Sequence, residues 1–280
     1  MLNQRTDLAI DAAEILLEMP EGISSNEYFN HNTKITEIKI LDATGEEKIG
    51  KPIGTYITLH LENATHNPGQ FDNAVLSLAA ELKKILQSND KIMITGLGNR
   101  AITPDAIGPS AMDYILITRH LKNKREFDGF KTTFGIAPGV LGITGIETSE
   151  IISGIADKTK PDCIIVIDAL ASKSVERLCN TVQITDTGIT PGSGVGNSRK
   201  AINFSTLGVP VIAIGVPTVV DAKTLAEEIS GGEANEEYSQ MMITPKEIDS
   251  KITEISKLIG YGINSAVHDI PIEDIDFYLS

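Results

Sequence analysis

Three aspartates in this chain, Asp105, Asp168 and Asp186, each follow a short run rich in isoleucine and valine. Runs of this kind, separated by helical stretches, are typical of parallel strands in an α/β sheet. The carboxyl ends of parallel strands share one edge of the sheet, where open α/β folds place their active crevice. Carboxylates that meet there could share a proton and act as general base and general acid. The runs cover residues 91–95, 163–167 and 181–185.

Two of these aspartates also have a simple structural interpretation. Asp105 directly follows Pro104, which suits the first position of a helix, and the helix macrodipole alone favours an acid in that turn. Asp168 could cap a helix that begins near Ser172. The residues by themselves therefore leave a catalytic and a structural role open for both.

The glycine turn at 96–101 has the pattern G-x-G-x-x-A of a dinucleotide-binding fold. That fingerprint also requires an acidic residue about twenty positions later. Residues 115–121 contain no acid. A tight turn between a strand and a helix accounts for the glycines without a nucleotide, and we favour that interpretation.

Two glycine motifs follow the third apolar run. Asp186, Thr187 and Gly188 form the tripeptide of pepsin-like and retroviral aspartic proteases, but those enzymes are all-β and this chain alternates strands with helices. The loop 190–197 lacks the G-K-S/T ending of a phosphate loop. Its glycines either let an extended ligand approach the backbone or form a turn without a ligand.

Nucleophilic and metal chemistry find little support in the histidines and cysteines. The five histidines are scattered, and only His120 lies near the motifs of the alternating core. Cys163 and Cys179 do not occupy nucleophile-like turns, and we expect two buried thiols rather than a disulfide. Asp105, Asp168 and a water molecule could hold a hard cation, which is the one metal site the pattern allows.

The elements that must position these residues follow from periodicity. Alternation of strands and helices predicts an α/β fold, a three-layer sandwich with a mostly parallel sheet covered by helices on both faces. Predicted helices cover part of 6–19, and 71–86, 104–121, 148–158, 172–178, 198–207 and 245–263. Predicted strands cover 34–41, 55–61, 91–95, 163–167, 181–185 and 209–217, the first two forming a hairpin.

Composition limits the classes of function. Among 280 residues, 24 Lys and Arg face 38 Asp and Glu, so the net charge is −14 and direct nucleic-acid binding is not expected. No run reaches the ~20 apolar residues of a membrane helix, and the amino terminus does not have the form of a signal peptide. We therefore expect a cytoplasmic protein that does not enter a membrane.

Six segments, in this order along the chain, closely resemble the bacterial spore germination protease family. That family degrades small acid-soluble spore proteins during germination. The resemblance runs from about residue 5 to 222, and residues 223–280 are similar only loosely. The segments are 5–12, 96–99, 103–109, 137–140, 167–171 and 186–197.

The resemblance implies a fold similar to the hydrogenase maturation endopeptidases, which are phosphorylase/hydrolase-like. It implies catalysis by Asp105 and Asp168 without a metal or cofactor, and it moves Asp186 to a supporting position. The ionised aspartate would draw a proton from water as the water attacks the scissile carbonyl. The protonated aspartate would polarise that carbonyl or protonate the leaving amine. Backbone N–H groups could bind substrate or stabilise the oxyanion. These backbone candidates are Gly96, Gly98, Asn99, Gly192, Gly194 and Gly196.

The resemblance also implies a self-processing zymogen. The family cuts after an acid and before a small apolar pair, and Asp7, Leu8 and Ala9 are similar to that pattern. We predict a cut between Asp7 and Leu8, with 1–7 as propeptide and 8–280 as a single α/β protease domain. Within it, 34–61 is the hairpin and 223–280 a helical region. The family implies a homotetramer in the forespore and spore core, with the small acid-soluble spore proteins as substrates.

There are two rival functions, and the second belongs to another class of protein. A nickel-sensing hydrogenase maturation endopeptidase would share the fold class, but it would need a histidine at a third strand end, where the sequence has none. A non-catalytic ligand-binding α/β module would use the aspartates as helix caps and the glycine loops to hold a small ligand.

Overall fold

The computed structural model describes residues 6–14, 21–61, 67–86 and 89–280. The first five residues of the predicted propeptide, and 15–19 of the first predicted helix, lie outside these ranges. The helices are α1 (Ala9–Glu14), α2 (Ala43–Ile49), α3 (Pro68–Leu86), α4 (Ile107–Ala111), α5 (Leu141–Thr144), α6 (Thr148–Thr159), α7 (Phe204–Leu207), α8 (Ala222–Ser230), α9 (Ile248–His268) and α10 (Ile272–Leu279). The strands are β1 (Ile23–Asn30), β2 (Thr33–Ile40), β3 (Gly54–His60), β4 (Lys91–Gly96), β5 (Thr132–Ile136), β6 (Cys163–Ser172), β7 (Thr181–Thr185), β8 (Val211–Asp221) and β9 (Met242–Ile243).

The described strands form one mixed sheet in the order β1-β2-β3-β7-β8-β6-β4-β5, with β9 paired to β8. The pairs β8–β6, β6–β4 and β4–β5 are parallel. The pairs from β1 through β7 to β8 are antiparallel. The sheet therefore has a parallel half, which carries Asp168, and an antiparallel half that extends it.

Helices cover both faces of the sheet. On one face α3 and α4 pack against the strands and α9 packs against these two helices, and Leu78 and Leu258 are fully buried in that core. On the other face α6 packs through Ile152 and Ala156 against Ile164 and Val166 of β6. These layers confirm the predicted α/β fold class, because apolar strands are buried on both faces by helices.

The run 181–185 is a strand, but its predicted parallel direction is wrong. β7 is antiparallel to both β3 and β8. Only residues 173–180 connect it to β6, and a parallel return needs a crossover of a dozen or more residues. The end of β7 that carries Asp186 therefore points away from the edge to which the parallel strands lead.

Three predicted helices are shorter or absent. The segment 104–121 contains a 3-10 turn (Thr103–Asp105), the short α4 and a second 3-10 turn (Met112–Tyr114). Residues 172–178 contain only a 3-10 turn (Val175–Arg177), and 198–207 contains only α7. Each segment is tied to a neighbour by specific contacts; for example, Asn264 Oδ1 accepts the N–H of Leu116 at 2.9 Å. Tertiary contacts of this kind override helix propensity.

The amino-terminal strands differ from the expectation in their connections. β2 and β3 are antiparallel neighbours, but α2 connects them where a turn was predicted. Asp42 begins α2 by accepting the N–H groups of Thr44 and Gly45. β1, which was not predicted, pairs with β2 along its whole length. None of the helices in the described residues combines the length and the apolar character needed to cross a membrane.

His268, at the end of α9, gives the fold a pH dependence. Burial lowers its pKa from 6.5 to about 4, and its ring packs on Phe130 beside Thr133. Between pH 6.5 and pH 4 the unfolded chain therefore binds a proton at His268 that the folded chain does not bind. The contribution of the neutral, buried His268 to stability is complete above pH 6.5 and is lost as the pH falls toward 4. We expect a loss of about 3 kcal/mol over that interval. Urea unfolding of the wild type and of His268→Gln at several pH values across this interval checks the prediction. The fall in the free energy of unfolding between pH 6.5 and pH 4 should be smaller in the variant, which lacks the titrating group.

Candidate active site

Asp168 lies in the middle of β6 rather than at its end. The strand continues to Ser172, so the prediction that Asp168 terminates the strand or caps a helix is wrong. The side chain is only 6% exposed, and the N–H of Ala169 donates to its Oδ1 at 2.9 Å. A carboxyl group is thus held between apolar residues of a buried strand.

Asp105 lies in the 3-10 turn that follows β4. The N–H of Asn99 donates to the Asp105 C=O at 3.1 Å and to its Oδ2 at 2.8 Å. Gly98 permits this arrangement, because its φ is +106° and a Cβ there would lie 2.1 Å from the Asp105 C=O oxygen. The predicted Gly turn therefore shapes the loop that orients Asp105.

Close backbone packing brings this loop against β6. The N–H of Leu97 donates to the C=O of Ile167 at 2.8 Å, directly before Asp168. Gly108 of α4 fits against the same place, since a Cβ would lie 2.3 Å from the Leu97 C=O oxygen and 2.5 Å from that of Ile167. Asp105 and Asp168 are consequently presented to the same cleft.

The two carboxyl groups have different electrostatic environments. Burial, reinforced by the negative charges of Asp105 and Asp7, raises the pKa of Asp168 well above its ordinary value. Burial also raises the pKa of Asp105, but the N–H donated by Asn99 opposes that rise by favouring the ionised form. Both effects point the same way, so Asp168 holds its proton more strongly than Asp105 does.

The cleft that contains both aspartates has a volume of about 590 Å³. Asn99 and Gly192 contribute to its walls. Exposed apolar side chains of Ile102, Val195 and Met242 lie on its lining. A cleft of this size, with convergent polar groups and apolar walls, has the usual character of a ligand or substrate site.

Asp7 also lies in this cleft. Its N–H donates to the C=O of Ala171 at 3.1 Å, and the N–H of Ala171 donates to its Oδ2 at 3.0 Å. The hydroxyl of Ser193 donates to Oδ1. The next residue, Leu8, is fully buried, and the N–H of Ala9 donates to Gln183 Oε1 at 2.8 Å.

The sequence model of the germination protease family matches residues 6–230. The chain belongs to this family. The germination protease of Clostridium tetani is 41% identical, with all of both chains covered. That of Caldanaerobacter subterraneus is also 41% identical, with 95% of both chains covered. That of Priestia megaterium is 36% identical, covering 94% of this chain and 93% of its own.

A solved structure is similar in part. The NiFe hydrogenase maturation protease of Thermococcus kodakarensis aligns with a TM-score of 0.38 and 18% identity, covering 66% of this chain and 99% of its own.

Membership of the germination protease family makes the chain a peptidase.

The structure brings together only some of the residues predicted for this family member. Gly98, Asn99 and Gly192 line the cleft with the two aspartates, whereas Gly96 packs behind it against Gly108. Gly194 lies against the carboxylate of Asp7 and Gly196 ends a 3-10 turn in the loop.

Asp186 is the prediction that the geometry does not support. It is exposed at the end of β7 and accepts the N–H of Thr55 at 2.8 Å. In the described part of the chain it lies outside the cleft lining. The reason is the antiparallel direction of β7, which the apolar pattern of 181–185 cannot reveal.

Several residues that contact the cleft were not singled out by sequence. Ala171 and Ser193 hold Asp7, and Arg199 lines the cleft. Ser193 lies within the glycine-rich loop, which was the only signal pointing to it. Among the described residues, no group of three or more histidine, cysteine, aspartate or glutamate side chains is placed to hold a metal ion.

Gly98→Ala tests whether the loop conformation positions Asp105. The positive φ and the contact of a Cβ with Asp105 should displace the carboxyl, and a misplacement of ~1 Å costs about 100-fold in rate. We therefore expect kcat/KM for a peptide to fall about 100-fold with folding retained. Gly154→Ala is the matched control, since it lies in α6 and its Cβ would meet nothing within 4 Å. Equal activity of the two variants would show that the Gly98 conformation is not needed.

Proposed function

We propose that this peptidase is an endopeptidase in which Asp105 and Asp168 activate water, and that it initiates the degradation of small acid-soluble spore proteins during spore germination. One observation carries the proposal: Asp105 and Asp168 line one cleft large enough for a peptide, and Asp168 is the more deeply buried of the two. Membership of the germination protease family supports the substrate assignment.

The unequal pKa values suggest which aspartate takes each role. Ionised Asp105 removes a proton from water as the water oxygen attacks the scissile carbonyl carbon. Protonated Asp168 donates its proton to the leaving amine as the C–N bond breaks. The hydrolysis leaves Asp105 protonated and Asp168 ionised, and proton exchange with solvent restores the starting pair.

Backbone donors for the oxyanion are fewer than the glycine motifs suggest. The N–H of Asn99 is donated to Asp105, and those of Ser193, Val195 and Gly196 are donated to carbonyl groups within their own loop. Among the predicted candidates, this favours Gly98, Gly192 and Gly194 as donors when a substrate is bound.

The position of Asp7 supports the predicted cut between Asp7 and Leu8. Asp7 lies in the cleft that contains Asp105 and Asp168, and its charge is near enough to raise the pKa of Asp168. An amino-terminal segment in this place occupies the path of a substrate. Removal of residues 1–7 would open the cleft, which accounts for a silent zymogen.

Assembly and location follow from the family resemblance. We propose a homotetramer in the forespore and spore core, and light scattering of the purified chain tests the assembly. A dominant monomer at micromolar concentration would contradict it.

The function is tested by incubating the purified chain with a small acid-soluble spore protein and mapping the fragments by mass. We expect cuts after acidic residues, and a second product beginning at Leu8 from the chain itself. A chain that leaves the spore protein intact and keeps Met1 would overturn the proposal. The non-catalytic module predicts that outcome, whereas the nickel-sensing alternative predicts cleavage that a chelator abolishes.

A further inference from the structure

We propose that Ala171, Ser193 and Gly194 form an acid-binding subsite that selects substrates by the acidic residue directly before the cleaved bond. The inference rests on the proposed peptidase function and adds the residues that determine its specificity. The occupant on which the inference is built is Asp7, the chain's own acid at the predicted cut.

The subsite has separate donors for the two carboxylate oxygens. The N–H of Ala171 donates to Oδ2 of Asp7 at 3.0 Å, and the hydroxyl of Ser193 donates to Oδ1. An amide in place of the carboxylate would present an NH₂ group to one of these donors. The Ser193 hydroxyl can accept from that group, so an asparagine keeps both contacts only by reversing one hydrogen bond, and both contacts lose the strength that the carboxylate charge gives them.

Gly194 provides the space that the carboxylate occupies. A Cβ at Gly194 would lie 2.2 Å from Oδ2 of Asp7 and 2.8 Å from the Cβ of Ala171. The glycine is therefore required by the volume of the bound acid. A larger residue at this position would exclude the acid even if both donors stayed in place.

The backbone of Asp7 pairs with the edge of β6. At the end of β4 the C=O of Ile167 accepts the N–H of Leu97. Ala171 is four residues further along β6, so its backbone groups face the same edge beyond the end of β4. The C=O of Ala171 accepts the N–H of Asp7 there, which is the way a peptide adds to a strand edge.

A half-buried lysine lies beside the subsite. Lys51 Nζ donates to the C=O of Thr6 at 3.0 Å, next to Asp7. Burial lowers the pKa of Lys51, and the charges of Asp7 and Asp11 oppose that effect. Lys51, Asp7 and Ser193 line a second cavity of about 230 Å³ that adjoins the cleft through Asp7. The positive charge favours an acid over its amide at this point.

Peptide binding tests the subsite without requiring catalysis. The probes are fluorescently labelled Gln-Arg-Thr-Asp amide and Gln-Arg-Thr-Asn amide. The protein is the full chain with Asp7→Ala, which removes the carboxylate from the subsite and leaves the rest of the segment to compete equally with both probes. We expect the acidic probe to bind at least about 10-fold more tightly, as hydrogen bonds to a charged group predict. Adding Ser193→Ala or Gly194→Ala should reduce that ratio to below about 3-fold, and Ser193→Thr should keep it. An unchanged ratio in both variants would overturn the subsite.

Cleavage separates this inference from the function on which it rests. The substrates are the peptide of residues 4–13 and the same peptide with Asn at the position of Asp7, and the control variant is Ser250→Ala on the exposed side of α9. The inference is supported if the ratio of kcat/KM for the acidic peptide to kcat/KM for the asparagine peptide falls about 10-fold in Ser193→Ala, mainly through KM, and stays unchanged in the control. If both peptides are cleaved and the ratio is unchanged in Ser193→Ala, the subsite is contradicted but the peptidase function is not. If the acidic probe binds selectively but neither peptide is cleaved, the peptidase function is contradicted but the subsite is not.

Discussion

Asp168→Asn is expected to lower kcat/KM for a peptide by about 1000-fold, the effect of removing a positioned general acid. Asparagine keeps the shape of the side chain and accepts the N–H of Ala169, so the fold should persist. The variant also removes a buried acid that is costly to ionise, and the free energy of unfolding at neutral pH should not fall. Steady-state kinetics and urea unfolding of the same preparations measure both effects.

Asp186→Asn is the matched control for this prediction. Asp186 is exposed and accepts a single described N–H, that of Thr55, outside the cleft lining. Its replacement should change kcat/KM by no more than about 3-fold, within the usual effect of a surface substitution. If Asp186→Asn impaired the reaction as severely as Asp168→Asn, the assignment of the pair would be wrong.

The pH dependence of the rate tests which aspartate acts as the acid and which acts as the base. The rate should fall as pH rises through the raised pKa of Asp168, because the acid is then ionised. It should also fall as pH drops through the raised pKa of Asp105, because the base is then protonated. In Asp105→Asn, the acidic limb of any residual rate should disappear. A profile without either limb would contradict the assignment.

Asp11→Ala is expected to reduce the free energy of unfolding by about 3–5 kcal/mol, the effect of leaving a buried ion pair without one partner. Asp11 is 2% exposed and binds the guanidinium of Arg177. It also accepts the hydroxyl of Thr6 at 2.6 Å, the hydroxyl of Ser172 at 3.1 Å and the N–H of Lys173 at 2.7 Å. The variant would take this acceptor from four donors at once and leave Arg177 paired with Glu14.

The matched control is Asp113→Ala, which breaks the exposed pair with Arg100. Exposed pairs contribute about 0–1 kcal/mol, so this variant should unfold almost as the wild type does. Urea midpoints of the three proteins decide the matter. Equal losses for Asp11→Ala and Asp113→Ala would show that the buried cluster does not anchor α1. The anchor also matters for processing, since Asp11 lies beyond the predicted cut and would keep α1 attached afterwards.

The sequence predicts the class of the fold and the two aspartates better than it predicts how they are positioned. The α/β class follows from apolar runs alternating with amphipathic helices such as α3 and α9. Asp105 and Asp168 stand out because each interrupts or follows an apolar run. Asp186 has the same local pattern, and only the direction of β7 separates it from them. The short connection 173–180 carried that information, but strand order is a property of the whole sheet.

The contacts of Asp7 show a different limit. Ala171 donates through its backbone and Gly194 contributes only space, so neither has a side chain that signals a carboxylate. Ser193 and Lys51 have suitable side chains, yet they come from loops more than a hundred residues apart in the sequence. Sites assembled from backbone edges and distant loops require coordinates, because periodicity describes only neighbours along the chain.

The central claim, that Asp168 stores a proton because it is buried beside Asp105, is tested most directly by NMR titration of protein labelled at the aspartate carboxyl carbons. We expect one carboxyl to stay protonated well above the ordinary range, to be missing in Asp168→Asn, and to titrate at lower pH in Asp105→Asn. If the signal that Asp168→Asn removes instead titrates near the ordinary value of about 4 in the wild type, the account is contradicted.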